Sequence, residues 1–195
     1  IYLARGKWLP DGRLTAQILN REQSQLDLVA FDLTSGQRQL LLQESSDVWI
    51  NLHHLFHPLK ELPGQNGGGF IWGSERTGFQ HLYLYGANGE MIRPLTHGDW
   101  LVDSLAGVDA DHGWVYFMAS KEGPTESHLY RVSLQGGEPE RLTFEPGMHS
   151  VVLDVKRQRF VDVVQAVDTP PNLVLRSLED GRRLTPIFSQ TDERV

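Results

Sequence analysis

The chain has 195 residues, 39% of them hydrophobic and 22% charged, a globular and not a disordered composition. Its 18 basic and 25 acidic residues leave a net charge of -7 with no basic stripe, which gives a nucleic-acid partner no electrostatic footing. There is no cysteine, which excludes disulfides, thiol catalysis and cysteine metal sites, and no apolar run reaches the length of a membrane span.

Ile1-Tyr2-Leu3-Ala4-Arg5 reads as the middle of a strand, with neither an initiator Met nor a signal peptide. That start points to a segment of a longer protein, whose compartment this chain does not reveal. A hairpin follows at Leu9-Pro10-Asp11-Gly12-Arg13. Leu26 to Asp32 then runs through Thr34-Ser35-Gly36 into Leu40-Leu41-Leu42. Next come Phe70-Ile71-Trp72-Gly73-Ser74, Gly78-Phe79-Gln80-His81-Leu82-Tyr83-Leu84-Tyr85, an Asn88-Gly89 turn and Arg93-Pro94-Leu95-Thr96. A similar series follows Asp111-His112-Gly113: Val115 to Ser120, Ser127-His128-Leu129-Tyr130-Arg131-Val132, Gly136-Gly137, and Arg141-Leu142-Thr143. The last stretch holds Val151-Val152-Leu153, an alternating run from Val161 to Val167, and Asp168-Thr169-Pro170-Pro171-Asn172, read as a rigid turn. Asn172 to Ser177 then leads through Glu179-Asp180-Gly181 into Arg183-Leu184-Thr185.

The two His-Leu-Tyr triplets lie 47 residues apart, and so do Leu95-Thr96 and Leu142-Thr143. Weaker copies flank them, each a strand, a turn rich in Gly, Asn, Asp or Ser, and a second short strand. No long helical period appears, and apolar residues mostly recur at every second position. The expectation is an all-β fold: a partial β-propeller of about four blades with four antiparallel strands each. The pattern sets the blades at 3–47, 48–100, 101–149 and 150–188, all within one propeller domain. Four blades can close alone or form half of a larger ring, and the mid-strand start favours the second. Stacked blades bury inner and middle strands on both faces, which is expected at Val151-Val152-Leu153 and Leu40-Leu41-Leu42, while the outer strand stays wetter.

Few residues suggest chemistry. His53 and His57 would share a face if helical, but Pro58 disfavours a helix and no carboxylate follows at zincin spacing; a plain loop after Trp49 serves as well. Ser74 with His81 and Asp99 or Asp103 lacks a strained nucleophile turn, and reads as a hairpin in which Arg76 pairs with Glu75 or a neighbouring blade. His81 and His128 are repeat equivalents, which argues for structure, as do Tyr83 and Tyr130. Trp49, Trp72, Trp100 and Trp114 are most simply core. No catalytic residue, metal site or cofactor site is expected in this chain.

Asp47-Val48-Trp49-Ile50-Asn51-Leu52-His53, with Phe70 to Tyr85, resembles the propeller of the dipeptidyl peptidase IV family, in a variant similar to bacterial members or to the dipeptidyl peptidase 8 and 9 branch. Ser74-Glu75-Arg76-Thr77-Gly78-Phe79-Gln80-His81-Leu82-Tyr83 is its most specific part. Leu95 to Val102, Trp8 to Gly12 and Asn20 to Gln23 extend it over nearly the whole chain. The resemblance implies a serine exopeptidase that removes Xaa-Pro or Xaa-Ala dipeptides, with an eight-bladed propeller joined to a C-terminal α/β-hydrolase domain. This chain would be the later, non-catalytic part of that propeller, since it lacks both a Gly-x-Ser-x-Gly elbow and the paired glutamates that bind the substrate amino terminus. The resemblance also implies that Trp49, Asn51, His53 and His54 line the parent's substrate cavity; the best-known members carry Phe-Arg where His53-His54 fall. The implied partners are the hydrolase domain and peptide substrates, and an open arc of blades would also self-associate. The other reading is a stand-alone propeller that binds a protein or polysaccharide. Prolyl oligopeptidase and acylaminoacyl peptidase propellers match the Trp49 and Phe79 segments less well.

Overall fold

The structure, a computed structural model, describes residues 1–62, 67–167 and 169–189. They fall into two compact units, Ile1–Leu95 and Thr96–Val195. Each unit holds two four-stranded antiparallel sheets whose strands lie side by side in chain order. The fold is thus all-β, a partial β-propeller of four blades. Apart from a short 3-10 turn at Val155–Arg157, no helix occurs among the described residues, and none is long and apolar enough to cross a membrane.

In unit 1 the first sheet is β1 (Tyr2–Trp8), β2 (Leu14–Leu19), β3 (Gln25–Phe31) and β4 (Arg38–Ser45). The second is β5 (Phe56–Leu59), β6 (Gly69–Ser74), β7 (His81–Gly86) and β8 (Met91–Pro94). Leu28, Leu41, Phe56, Phe70 and Trp72 belong to one core that joins the two sheets. In unit 2 the third sheet is β9 (Val102–Asp109), β10 (Trp114–Ala119), β11 (His128–Ser133) and β12 (Glu140–Arg141). The fourth is β13 (Met148–Asp154), β14 (Arg159–Ala166), β15 (Thr169–Ser177) and β16 (Arg183–Ser189). Its shared core includes Tyr116, Leu129, Leu142 and Phe160.

The 47-residue repeat has a structural meaning. His81-Leu82-Tyr83 opens β7 and His128-Leu129-Tyr130 opens β11, each the third strand of its sheet. Leu82 and Leu129 are both fully buried. The backbone N–H of Leu95 donates to the Leu82 carbonyl at 2.8 Å, and that of Leu142 to the Leu129 carbonyl at 2.8 Å. The hairpin glycines repeat too. Gly89 and Gly181 have positive φ, and a Cβ would strike the carbonyl of Leu41 at the first and of Leu142 at the second. These two turns therefore need glycine twice over, for backbone conformation and for close packing on the preceding blade.

Some expectations fail for physical reasons. Two-sided burial sits in second and third strands: every residue of β6 and β7 is buried. Leu40 is 52% exposed and Val152 72% exposed, because β4 and β13 are the end strands of their sheets and cover one face only. Trp49 is 66% exposed, since it falls in the connection from β4 to β5 and not on a strand, while Trp72 is buried and Trp100 and Trp114 are half-buried. Thr169 to Asn172 belong to β15 and not to a turn; Asp168 lies outside the described residues. The β14–β15 register shifts there, and neither Pro170 nor Pro171 has a partner on β14, where a proline's missing N–H is tolerated.

Candidate functional site

The segment between β4 and β5 carries all four cavity-lining candidates, and it separates two clefts. Trp49, Asn51 and His53 line the first, of about 320 Å³, with Glu44 from β4, Trp72 from β6 and Arg76 beyond it. His53 and His54 line the second, of about 330 Å³, with Arg5 and Lys7 from β1 and Gln17 from β2. His57 is on β5, opposite Ile71 of β6.

The first cleft is floored by one hydrogen-bond network. Glu44 accepts from Trp72 Nε1 at 3.0 Å, from Ser74 Oγ at 3.0 Å and from Arg76 Nη2 at 2.6 Å. Arg76 also donates to Tyr85 OH at 2.7 Å and lies over the Tyr83 ring at 4.4 Å. Of the two partners foreseen for Arg76, the neighbouring blade is the one observed, through Glu44. Ser74 is thus held by Glu44 and by Arg76 Nε at 2.9 Å, while Asp103 accepts from Ser127 Oγ at 3.3 Å. Ser74 sits opposite His81 on paired strands, and its hydroxyl is a network member and not a poised nucleophile. With Arg76 paired to Glu44, the carboxylates of Asp47 and Glu75 leave the rim acidic; Asn51 Nδ2 donates to Glu75 at 3.1 Å.

His53 stands between the clefts, edge-on to Trp72 with ring centroids 5.0 Å apart. Burial pushes its pKa down to about 4, with the charges of Arg5 and His54 adding to this and the Gly73 backbone opposing it. The ring is therefore neutral at neutral pH. Its Nδ1 accepts from the Leu55 N–H at 3.1 Å, so the ring proton is on Nε2, which is left as the donor. His54 is exposed, and its Nε2 faces Arg5 Nη2 at 3.2 Å. A guanidinium can only donate, so that nitrogen is the unprotonated one. Burial, then Lys7, lowers the pKa of His57. No group of three or more His, Cys, Asp or Glu side chains among the described residues is arranged to hold a metal ion.

Arg5, Lys7 and Gln17 were not legible as site residues. The one available signal was two cations two apart on a strand, which puts them on one face. Glu44 had no signal, since its partners Trp72, Ser74 and Arg76 are 28 to 32 residues away.

The family model for the dipeptidyl peptidase IV N-terminal region matches residues 1–171. The chain belongs to this family. A probable dipeptidyl peptidase 4 of Aspergillus flavus is 35% identical over 132 residues, 65% of this chain and 17% of that protein. A probable dipeptidyl-aminopeptidase B of Emericella nidulans is 34% identical over 155 residues, 74% of this chain and 17% of that protein. The chain thus spans about 17% of the length of these curated relatives. The crystal structure of Porphyromonas gingivalis dipeptidyl peptidase 4 superposes with a TM-score of 0.85 at 24% identity, over 96% of this chain and 26% of that one. At that identity the likeness is one of fold.

Proposed function

We propose that this chain is a non-catalytic propeller segment of a dipeptidyl peptidase IV-like serine exopeptidase. Its four sheets are successive blades of one propeller domain, and its partner is a C-terminal α/β-hydrolase domain of the same protein. The blades wall part of the chamber that admits flexible peptide ends and excludes folded proteins, ahead of removal of N-terminal Xaa-Pro or Xaa-Ala dipeptides. The observation that carries this reading, beside family membership, is that Trp49, Asn51 and His53 line one cleft. An exposed indole, a carboxamide and a neutral imidazole offer stacking and hydrogen bonds to a peptide without chemistry of their own. The exposed apolar side chains of Tyr2, Leu3 and Trp8 in β1, and of Ile187 and Phe188 in β16, would make the isolated chain self-associate.

The test compares His53→Ala and His54→Ala with the parent in the complete protein. Contacts shared by substrate and transition state raise KM and leave kcat nearly unchanged. An unchanged KM for several dipeptide substrates in both variants, with unchanged melting temperature, ends the cavity-lining role. A reading frame that lacks a hydrolase domain after Val195 ends the peptidase reading itself.

A further inference from the structure

The second cleft differs in charge from the first. In β1, Arg5 and Lys7 are two residues apart, and in β2 they pair with Gln17 and Thr15. The pleat therefore turns all four side chains to the same face, toward the segment that carries His53, His54 and Phe56. Arg5 Nη1 donates to the His53 carbonyl at 3.0 Å and Lys7 Nζ to the Phe56 carbonyl at 3.0 Å. These bonds fix the cations without neutralising them, and no carboxylate among the described residues lines the cleft. Further N–H donors remain on both side chains. Gln17 is only 4% exposed, lines the cleft, and makes no side-chain hydrogen bond among the described residues. The Gln17 amide opens to the cleft and is not sealed from solvent, so its donors are available to a ligand there. The downward push that Arg5 exerts on His53, and Lys7 on His57, is the same positive field felt at two rings.

We propose that the cleft between β1, β2 and the His53–Phe56 segment is a carboxylate-binding subsite for peptides. Arg5 and Lys7 take the charge, and the Gln17 amide donates to one oxygen. This inference rests on the peptide-chamber reading above, and it names an acidic group as a feature the chamber recognises. The carboxylate can be the peptide's C-terminus or an acidic side chain.

The test uses the complete protein and three N-acetylated peptides, whose blocked amino ends prevent dipeptide removal. They are Ala-Pro-Ala-Ala as the free acid, the same sequence as the C-terminal amide, and Ala-Pro-Glu-Ala as the amide. Calorimetry at low salt reads the three affinities. At least one carboxylate-bearing peptide should bind about tenfold more tightly than the neutral amide, and which one does so identifies the source of the carboxylate. The preference should vanish in the Arg5→Gln, Lys7→Gln double variant and weaken in Gln17→Glu, which keeps the shape and adds a repelling charge. It should persist in Lys60→Gln, an exposed cation outside the cleft. Equal affinity of the three peptides for the parent protein, or a preference that survives the double variant, overturns the proposal. The first comparison needs no variant, so a misfolded variant cannot rescue it. Cleavage of the unblocked free acid is assayed separately. Its absence counts against the peptidase reading, while the affinity ratio still decides the subsite.

Discussion

Both units organise polar side chains around an arginine, in opposite ways. In unit 1, Arg76 has a side chain 32% exposed and clamps Glu44 at the floor of an open cleft. In unit 2, Arg176 is 2% exposed and bridges Asp162, fully buried, at 2.8 Å and Glu145 at 2.5 Å. Asp162 also holds His149 Nδ1 at 2.8 Å, and His149 Nε2 faces the Glu145 carbonyl at 2.8 Å. Burial alone would push the Glu145 carboxyl up, but its own backbone N–H, Arg176 and Arg183 outweigh this and hold it at about 2. The sealed cluster satisfies its members internally and serves the fold. The open one leaves Glu75, Asn51 and the His53 ring edge facing a cavity, where a ligand can use them.

Four measurements can break or sharpen that contrast. The largest effect belongs to Arg176→Met, which strands the buried Asp162 charge and should cost about 3–5 kcal/mol in a urea melt of the complete protein. A loss under about 1 kcal/mol would mean that water reaches the cluster, against the burial described.

Acid comes next. The His53 pKa is lowered in the folded protein, so its stability contribution is complete above 6.5 and is lost as pH falls toward about 4. The ceiling is about 3 kcal/mol. His57 in unit 1 and His128 in unit 2, both lowered first by burial, add in the same direction. Melts of the parent and His53→Gln at pH 7 and pH 4.5 should differ in slope, with the variant losing less. Parallel losses would remove the case for a buried neutral ring.

Arg76→Met should be milder, about 1 kcal/mol, because solvent can take over part of the Glu44 charge. A cost equal to that of Arg176→Met would erase the distinction between the two clusters.

The smallest effect tests an orphan. Tyr116 OH is buried without a hydrogen-bond partner among the described residues, whereas Tyr130 OH donates to Glu122 at 3.0 Å. Tyr116→Phe should leave the melting temperature unchanged or slightly raised, while Tyr130→Phe should cost about 1 kcal/mol. A clear loss in the first variant would reveal a missed partner.

What the sequence disclosed and what it hid divide along one physical line. Chain-local signals were legible. Gly36, Gly89 and Gly181 mark turns because positive φ is a property of one residue, and His81 and His128 mark equivalent strands because a repeat preserves strand position. Pairings across sheets were not. Asp162 interrupts a Val-rich run that reads as ordinary alternation, yet its buried face carries Phe160, Asp162 and Val164, paid for by Arg176 and His149. Trp49 illustrates the same limit: composition calls an indole core, and only the sheet ends reveal that it stands on a connection. Trp49, Asn51 and His53 reached one cleft because they are close in sequence, whereas Arg5 and Gln17 meet only through the β1–β2 register.

The two hairpin glycines give assembly a direction. Gly89 seats on the backbone at Leu41 and Gly181 on that at Leu142, each on the blade made just before it. A ribosome releases the earlier blade first, so its last strand is available as a template when the next hairpin emerges. Within each of the four sheets, the described strands pair with their chain neighbours, which keeps loop closure short while the sheet grows. Replacing either glycine with alanine would therefore obstruct the docking of a finished blade on its predecessor, a fault that should appear as slowed maturation and aggregation during synthesis before it appears in the melting of molecules that succeed in folding.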